Sequence, residues 1–263
     1  MTDGLSIDTS VPHPARRYDY WLGGKDNFAA DRESGDAVIA AFPTIKLWAV
    51  ENRKFLRRAV TYLAREAGIR QFLDIGTGIP TANNTHEVAQ SLTPDARIVY
   101  VDNDPIVLVH ARALLTSTDA GATAYLQADF RDPETILSQA REILDFSQPI
   151  GLMLIALLHF MKDSDQPYEH VRTLVDALPP GSFLAVTHAV DDYLPKQQAE
   201  GLTDVGRVPF EMRSRAEVAR YFEGLELVPP GLVSISEWRA EDETGPRPSA
   251  ADIAADGAVA HKP

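Results

Sequence analysis

The run Phe72-Leu73-Asp74-Ile75-Gly76-Thr77-Gly78-Ile79-Pro80-Thr81 is an apolar strand that breaks into a turn carrying two glycines. A second apolar run, Arg97-Ile98-Val99-Tyr100-Val101, ends in Asp102. Glycine is required where a strand turns sharply toward a helix and the backbone must approach a ligand closely. Asp102 lies 24 residues beyond Gly78. Two strand ends of this kind meet at the carboxyl edge of a parallel sheet, where a carboxylate accepts hydrogen bonds from both hydroxyls of a ribose. The pairing predicts an α/β chain that binds a nucleoside.

The nucleoside is either a nicotinamide dinucleotide or S-adenosylmethionine. A dinucleotide fingerprint has the spacing G-x-G-x-x-G. Here the third glycine position holds Thr81, and Pro80 before it suits a first helical residue. Asp74, two positions before Gly76, would sit awkwardly beside a pyrophosphate and suits an ammonium or sulfonium. Each acid also has a local use, Asp74 as a helix N-terminal carboxylate and Asp102 as a turn residue.

A length of 263 residues allows one large α/β domain with decorations, or two small ones. The formal net charge of −13 opposes the phosphate neutralisation that nucleic-acid binding demands, so a small-molecule substrate is expected and nucleic acid is not. With no cysteine, disulfides and thiolate metal sites are excluded, and His86, Glu87 and His110 lack metal-site spacing. Neither a membrane span nor a signal pattern is present, which predicts a cytoplasmic chain without a membrane partner.

The pattern divides the chain into a flexible tail over 1–14, an N-terminal helical cap over 15–68, a core over 69–240 and a second flexible tail over 241–263. Helices are expected at 31–41 and 45–67, stopped by Pro43 and Gly68. Strands are expected at 71–75, 97–102, 122–127, 150–157 and 182–188, alternating with helices that open at Asp104-Pro105, Asp132-Pro133 and Asp163 or Ser164. That alternation means a Rossmann-like, doubly wound, mostly parallel sheet. A helix is expected at 215–223. Strands at 225–228 and 232–238, joined by Pro229-Pro230-Gly231, predict an antiparallel pair at one edge.

The series YDYWLGGKDNF, ENRKFLRRAV, RQFLDIGTGIPT with THEVAQ, ARIVYVDNDPIVL with ARALL, QADFRDP and EMRSRAEVARYFEGLELVPPGLV covers most of residues 16–238. In this order it resembles a class I S-adenosylmethionine-dependent methyltransferase, specifically a bacterial S-adenosyl methyltransferase family formerly catalogued as a domain of unknown function. The resemblance implies that Asp74, Gly76, Thr77 and Gly78 form the cofactor loop and that Asp102 binds the ribose. Asn103 reaches the ribose or the adenine edge. Asp129 accepts the exocyclic amine while Phe130 stacks on the ring. Leu157 to Phe160 ends the fourth strand, where the substrate enters, and Leu157 also contacts the cofactor. The commonest loop of such enzymes has a third glycine where this chain has Pro80.

The aromatic stretch containing Tyr18, Tyr20 and Trp21, followed by Gly23-Gly24, suits either packing or a lid over the methionine end of the cofactor. In the lid, Tyr18 contacts a carboxylate or ammonium, with Lys25 nearby. Among the histidines, His159 and His188 end strands on the active edge, and His159 is the candidate general base. The expected activity is methyl transfer from S-adenosylmethionine to an O, N or C atom of a small molecule. A non-catalytic cofactor-binding regulator and a nicotinamide oxidoreductase are the alternatives, the latter opposed by the missing glycine and by the lack of a Tyr-x-x-x-Lys pair.

Overall fold

The structure is a computed structural model that describes residues 8–107, 109, 117–203 and 205–263. Three helices come first, α1 (Pro14–Trp21), α2 (Ala29–Ala41) and α3 (Ile45–Arg65). Then strands and helices alternate: β1 (Gln71–Ile75), α4 (Thr85–Leu92), β2 (Arg97–Asp102), β3 (Ala122–Gln127), α5 (Pro133–Ala140), β4 (Gly151–Ile155), α6 (Pro167–Ala177) and β5 (Phe183–Ala189). Residues 105–107 are helical after β2. Residues 108 and 110–116 of that connection, with His110 and the ARALL segment, lie outside the described residues.

The sheet order is β3-β2-β1-β4-β5, all parallel, with Gln71 opposite Arg97 and Phe72 opposite Gly151. Alternate residues along these strands feed two separate apolar layers. Phe72, Ile98, Tyr100, Met153 and Ala185 pack on one face. Leu73, Val99, Leu152, Leu154, Leu184 and Val186 pack on the other. A strand points successive side chains to opposite faces, so apolar residues at every position mean that helices cover both. The doubly wound architecture follows.

Helix α3 supplies much of the first layer. Phe55, Ala59, Val60 and Leu63, spaced for one helical face, are fully buried there. Each large apolar side chain so buried contributes about 2 kcal/mol. Because α3 shares this layer with Phe72 and Ile98, it is part of the core and not a cap laid over it. It ends before Gly68, whose φ of 71° is the left-handed conformation that closes helices. Asp132 caps α5 as expected, accepting from the Thr135 amide at 3.1 Å with Pro133 behind it. The helix expected at Asp163 begins later, at Pro167, after a short 3-10 turn.

The C-terminal part corrects two expectations. After α7 (Lys196–Leu202) and α8 (Arg215–Ala219) come short strands β6 (Glu226–Leu227) and β7 (Val233–Ser234), then a helical turn α9 (Ala250–Ile253) and β8 (Ala255–His261). The antiparallel edge exists, but β6 and β7 do not pair with each other. Both bond to β8, which itself runs antiparallel to β5 over seven residue pairs from Phe183↔His261 to Ala189↔Ala255. The stretch expected to be a flexible tail therefore contains a central, buried strand. At the other end, the described part of the expected N-terminal tail is anchored: the His13 amide donates to Asp31 Oδ1 at 2.8 Å, and Pro14 already belongs to α1.

Candidate functional site

Where β1 ends, Gly76 (φ 76°) and Gly78 (φ 68°) both take left-handed backbone. A β-carbon on Gly76 would meet Leu157 Cδ1 at 2.7 Å, and the left-handed backbone itself favours glycine there. The amides of Gly76 and Thr77 both donate to the Val101 carbonyl, at 2.8 and 3.3 Å, and tie the loop to β2. Thr77 Oγ1 donates back to the Asp74 carbonyl at 3.0 Å.

Two buried carboxylates flank this loop. Asp102 is 7% exposed; its Oδ2 accepts from the Gly78 amide at 2.8 Å and its Oδ1 from the Asp104 amide at 2.9 Å. Burial raises its pKa, and the two amides oppose the rise. A carboxylate has about four acceptor directions, so each oxygen keeps one for a ligand. Asp74 Oδ2 accepts from Thr85 Oγ1 at 2.6 Å at the start of α4. Burial pushes the Asp74 carboxyl up to about 6, against the opposing effects of Thr85 and Arg53.

Asp74 and Asp102 face one cavity of about 340 Å³, which is also lined by Tyr18, Gly76, Thr77, Gly78, Asn103, Asp129, Phe130 and Leu157. All the residues expected to hold the cofactor thus come together. Asp129 differs from expectation in its chemistry. Its Oδ1 accepts from Arg131 N and Nε, both at 2.9 Å, and its Oδ2 from Arg131 Nη2 at 2.7 Å and Asn103 Nδ2 at 3.2 Å. The Arg131 contact holds its carboxyl at about 2. All four acceptor directions are occupied, so an incoming amine must displace one of these donors. Tyr18 is similarly engaged: its hydroxyl donates to the Ala49 carbonyl at 2.9 Å and accepts from Asn52 at 3.0 Å. With its single proton used, it can accept from an ammonium but not donate to a carboxylate. Burial pushes it up to about 12.

The histidine expected as general base is not among the cavity-lining residues. His159 is 1% exposed, packed against Trp48, Phe160, Phe210 and His188, and burial holds its pKa well below the ordinary range. Strand β4 stops at Ile155, Ala156 takes φ 55°, and a 3-10 turn over Leu158–Phe160 sets the imidazole in the packed interior. His188 is also structural, its Nε2 meeting Arg213 at 3.0 Å and its Nδ1 the Ala189 carbonyl at 2.7 Å. His86 pairs with the Tyr100 hydroxyl at 2.9 Å. Lys25 is exposed and outside the cavity, whereas Gly24 is needed because a β-carbon there would strike the Asp19 carboxylate. Asp19 closes the loop by accepting from Asp26 N and Asn27 Nδ2, which explains that polar composition by packing.

Sequence reasoning missed three contributors. Val11 to Ala15 line the cavity, clasped where the His13 amide donates to Asp31 Oδ1 and the His13 imidazole Nδ1 accepts from the Ala15 amide at 3.3 Å. Asn52 and Arg53 of α3 line it too, and Arg53 Nη2 donates to the Ala82 and Asn83 carbonyls, both at 2.9 Å. Arg53 Nε has no partner among the described residues. The available signal was the motif ENRKFLRRAV, which places Asn52 and Arg53 beside the buried apolar face of α3.

The cavity lies at the carboxyl edge of β1 to β4 of a Rossmann-like sheet, lined by the glycine turn and by both buried carboxylates, the place where such sheets bind nucleotide ligands. The sequence model of one family, described as S-adenosyl methyltransferase, matches residues 2–263, and the chain belongs to that family. Its cofactor is S-adenosylmethionine. The chain is similar to a crystal structure from Streptomyces avermitilis, described as a protein of domain-of-unknown-function family 574, with 46% identity over 98% of this chain and 100% of that one, TM-score 0.90. It is also similar to a candidate methyltransferase from Thermobifida fusca, with 44% identity over 97% and 96% of the two chains, TM-score 0.88. Human N-acetylserotonin methyltransferase, solved with S-adenosylmethionine, shares the fold at 16% identity over 96% of this chain and 63% of that one, TM-score 0.51. No curated protein matches the chain. Among the described residues no helix is long and apolar enough to cross a membrane.

Proposed function

We propose that this chain methylates a small-molecule acceptor inside the cavity, using the cofactor held along the ends of β1, β2 and β3. The observation that carries the reading is the pair of buried carboxylates, Asp74 and Asp102, on either side of two left-handed glycines. When bound, S-adenosylmethionine would supply a sulfonium-activated methyl group: a bond to the acceptor forms as the carbon–sulfur bond breaks, leaving S-adenosylhomocysteine and releasing the acceptor's proton.

The residues suit that cofactor. The free acceptor directions of Asp102 match the two ribose hydroxyls, and the turn at Gly76 and Gly78 admits close approach of the nucleoside. Asp74, ionised above pH about 6, offers its charge to the methionine ammonium, and Tyr18 adds an acceptor lone pair. Arg53, whose Nε is unsatisfied, suits the methionine carboxylate. Phe130 offers an apolar face for the adenine. Positioning does most of the work in a transfer whose leaving group is already activated.

The test is calorimetric titration with S-adenosylmethionine, S-adenosylhomocysteine and NADH, repeated on Asp102→Ala. Micromolar binding of the two sulfur nucleosides, lost in the variant, supports the reading; binding of NADH alone overturns it. Formation of S-adenosylhomocysteine in an acceptor screen then separates an enzyme from a non-catalytic regulator.

A further inference from the structure

The strand order lays the site out in a line. Asp129 and Phe130 follow β3, Asp102 ends β2, the glycine turn follows β1, and Leu157 follows β4. A nucleoside held at the first three leaves the end beyond β4 for the acceptor. That end is lined by Leu157, Phe160, Met161, Val208 and Pro209, and among its described residues Arg207 carries the charge.

Arg207 stands on a turn at the rim of this end. Gly206 (φ 83°) and Arg207 (φ 55°) are consecutive left-handed residues, and a side-chain-bearing residue in that region is a strained arrangement that clusters at functional sites. Ser34 Oγ donates to the Gly206 carbonyl and pins the turn. Arg207 has only a loose ion partner, Glu33 at 3.7 Å, with both side chains mostly in water at 66% and 73% exposure. A pair so exposed holds little energy and exchanges readily for a ligand.

A second guanidinium stands behind the aromatic wall. Arg17 is 2% exposed, 6.0 Å from the Phe160 ring centre and 5.1 Å from that of Trp21. Its hydrogen bond to Ser34 Oγ is long, 3.4 Å, and its Nε has no partner among the described residues. Asp31 acts on it only through space. A buried cation so weakly paired adds positive potential behind Phe160, which favours an anion over a cation on that wall.

We infer that the methyl acceptor is an amphiphilic organic anion whose carboxylate-like group is held by Arg207 at the mouth while its apolar body lies against Phe160, Met161, Val208 and Pro209. The inference rests on the methyl-transfer reading above. It is tested on the full chain saturated with S-adenosylhomocysteine, by calorimetry with 3-phenylpropionate and its neutral isostere 3-phenylpropionamide. The acid is expected to bind about tenfold more tightly than the amide, as a charge-assisted contact requires. That preference is expected to shrink as NaCl rises from about 50 to about 500 mM, to vanish in Arg207→Ala and to persist in part in Arg207→Lys. Equal binding of acid and amide overturns the inference. So does an acid preference that survives in Arg207→Ala, or failure of both probes to bind a protein that does bind S-adenosylhomocysteine. Failure to bind S-adenosylhomocysteine itself counts instead against the methyl-transfer reading.

Discussion

Two carboxylates are buried at the same edge of the sheet, Asp102 at the end of β2 and Asp256 at the start of β8, and their partners differ in kind. Asp256 accepts from Arg215 Nε at 2.6 Å and from the Tyr193 hydroxyl at 2.7 Å, while Asp102 accepts from two backbone amides. A guanidinium neutralises the charge it touches, whereas amides stabilise the charge and leave it in place. Asp256 is thus satisfied within the fold. Asp102 keeps a net charge facing the cavity, an arrangement suited to a ligand that brings hydroxyl donors.

The largest expected effect is therefore on ligand affinity at β2. Asp102→Ala should weaken S-adenosylhomocysteine binding about 100-fold or more, and Asp102→Asn, which keeps one acceptor oxygen, about tenfold, since hydrogen bonds to a charged group contribute roughly 1.5 to 3 kcal/mol each. Calorimetry measures both; a loss under threefold in Asp102→Ala would break the contrast between the two acids. Asp256→Ala should do the opposite. It removes a buried ion-pair partner and should cost about 2 kcal/mol of stability in urea unfolding, below the full value for a buried pair because Arg215 is 45% exposed and can return to water. Ligand affinity of the folded variant should change less than twofold, and a tenfold change would show that the two carboxylates are coupled.

Asp74 sharpens the comparison through pH. Its folded pKa, about 6, lies above the ordinary value of 3.8 because of burial. The folded protein therefore holds this proton more tightly than the unfolded chain does. Stability from the protonated group is complete below pH about 4 and is lost as pH rises through about 6. Asp74→Asn, which keeps an acceptor for Thr85, should stabilise the ligand-free protein by about 2 kcal/mol at pH 8, and by progressively less toward pH 4. The same variant should bind S-adenosylmethionine about tenfold more weakly at pH 8. Thermal unfolding across that range measures the first effect, and a pH-independent difference between variant and parent would show that Asp74 does not titrate in this window.

What the sequence disclosed follows the same division between local and distant causes. The five parallel strands and the glycine turn were legible because each is encoded within a few residues: apolar runs, Asp-x-Gly-x-Gly, Asp-Pro helix starts. Strand β8 was not. Its sequence, Ala-Asp-Gly-Ala-Val-Ala-His, is poor in strand formers, and its small residues answer to a distant neighbour, since a β-carbon on Gly257 would meet Phe55 at 2.8 Å. Strand preference of this kind is set by the slot between β5 and the short strands β6 and β7. The clasp at His13 was hidden for a similar reason, because its partner Asp31 lies well along the chain.

His159 shows how a correct strand end misleads about a side chain, and its substitution has the smallest expected effect. It follows β4 at the active edge, yet the turn after Ile155 sets the ring among Trp48, Phe160 and Phe210, with Nδ1 lacking a partner among the described residues. A general base must reach the proton it removes directly or through one water, and this imidazole lies outside the cavity lining. Burial also makes it a poor proton acceptor. In His159→Leu, which removes an unsatisfied polar atom at similar volume, the rate of S-adenosylhomocysteine formation with an acceptor from the screen should stay within about threefold of the parent, and the pH profile should keep its shape. A 100-fold loss with stability and cofactor affinity intact would return His159 to the chemistry. It would also mean that the segment from Leu157 to Met161 rearranges when the acceptor binds.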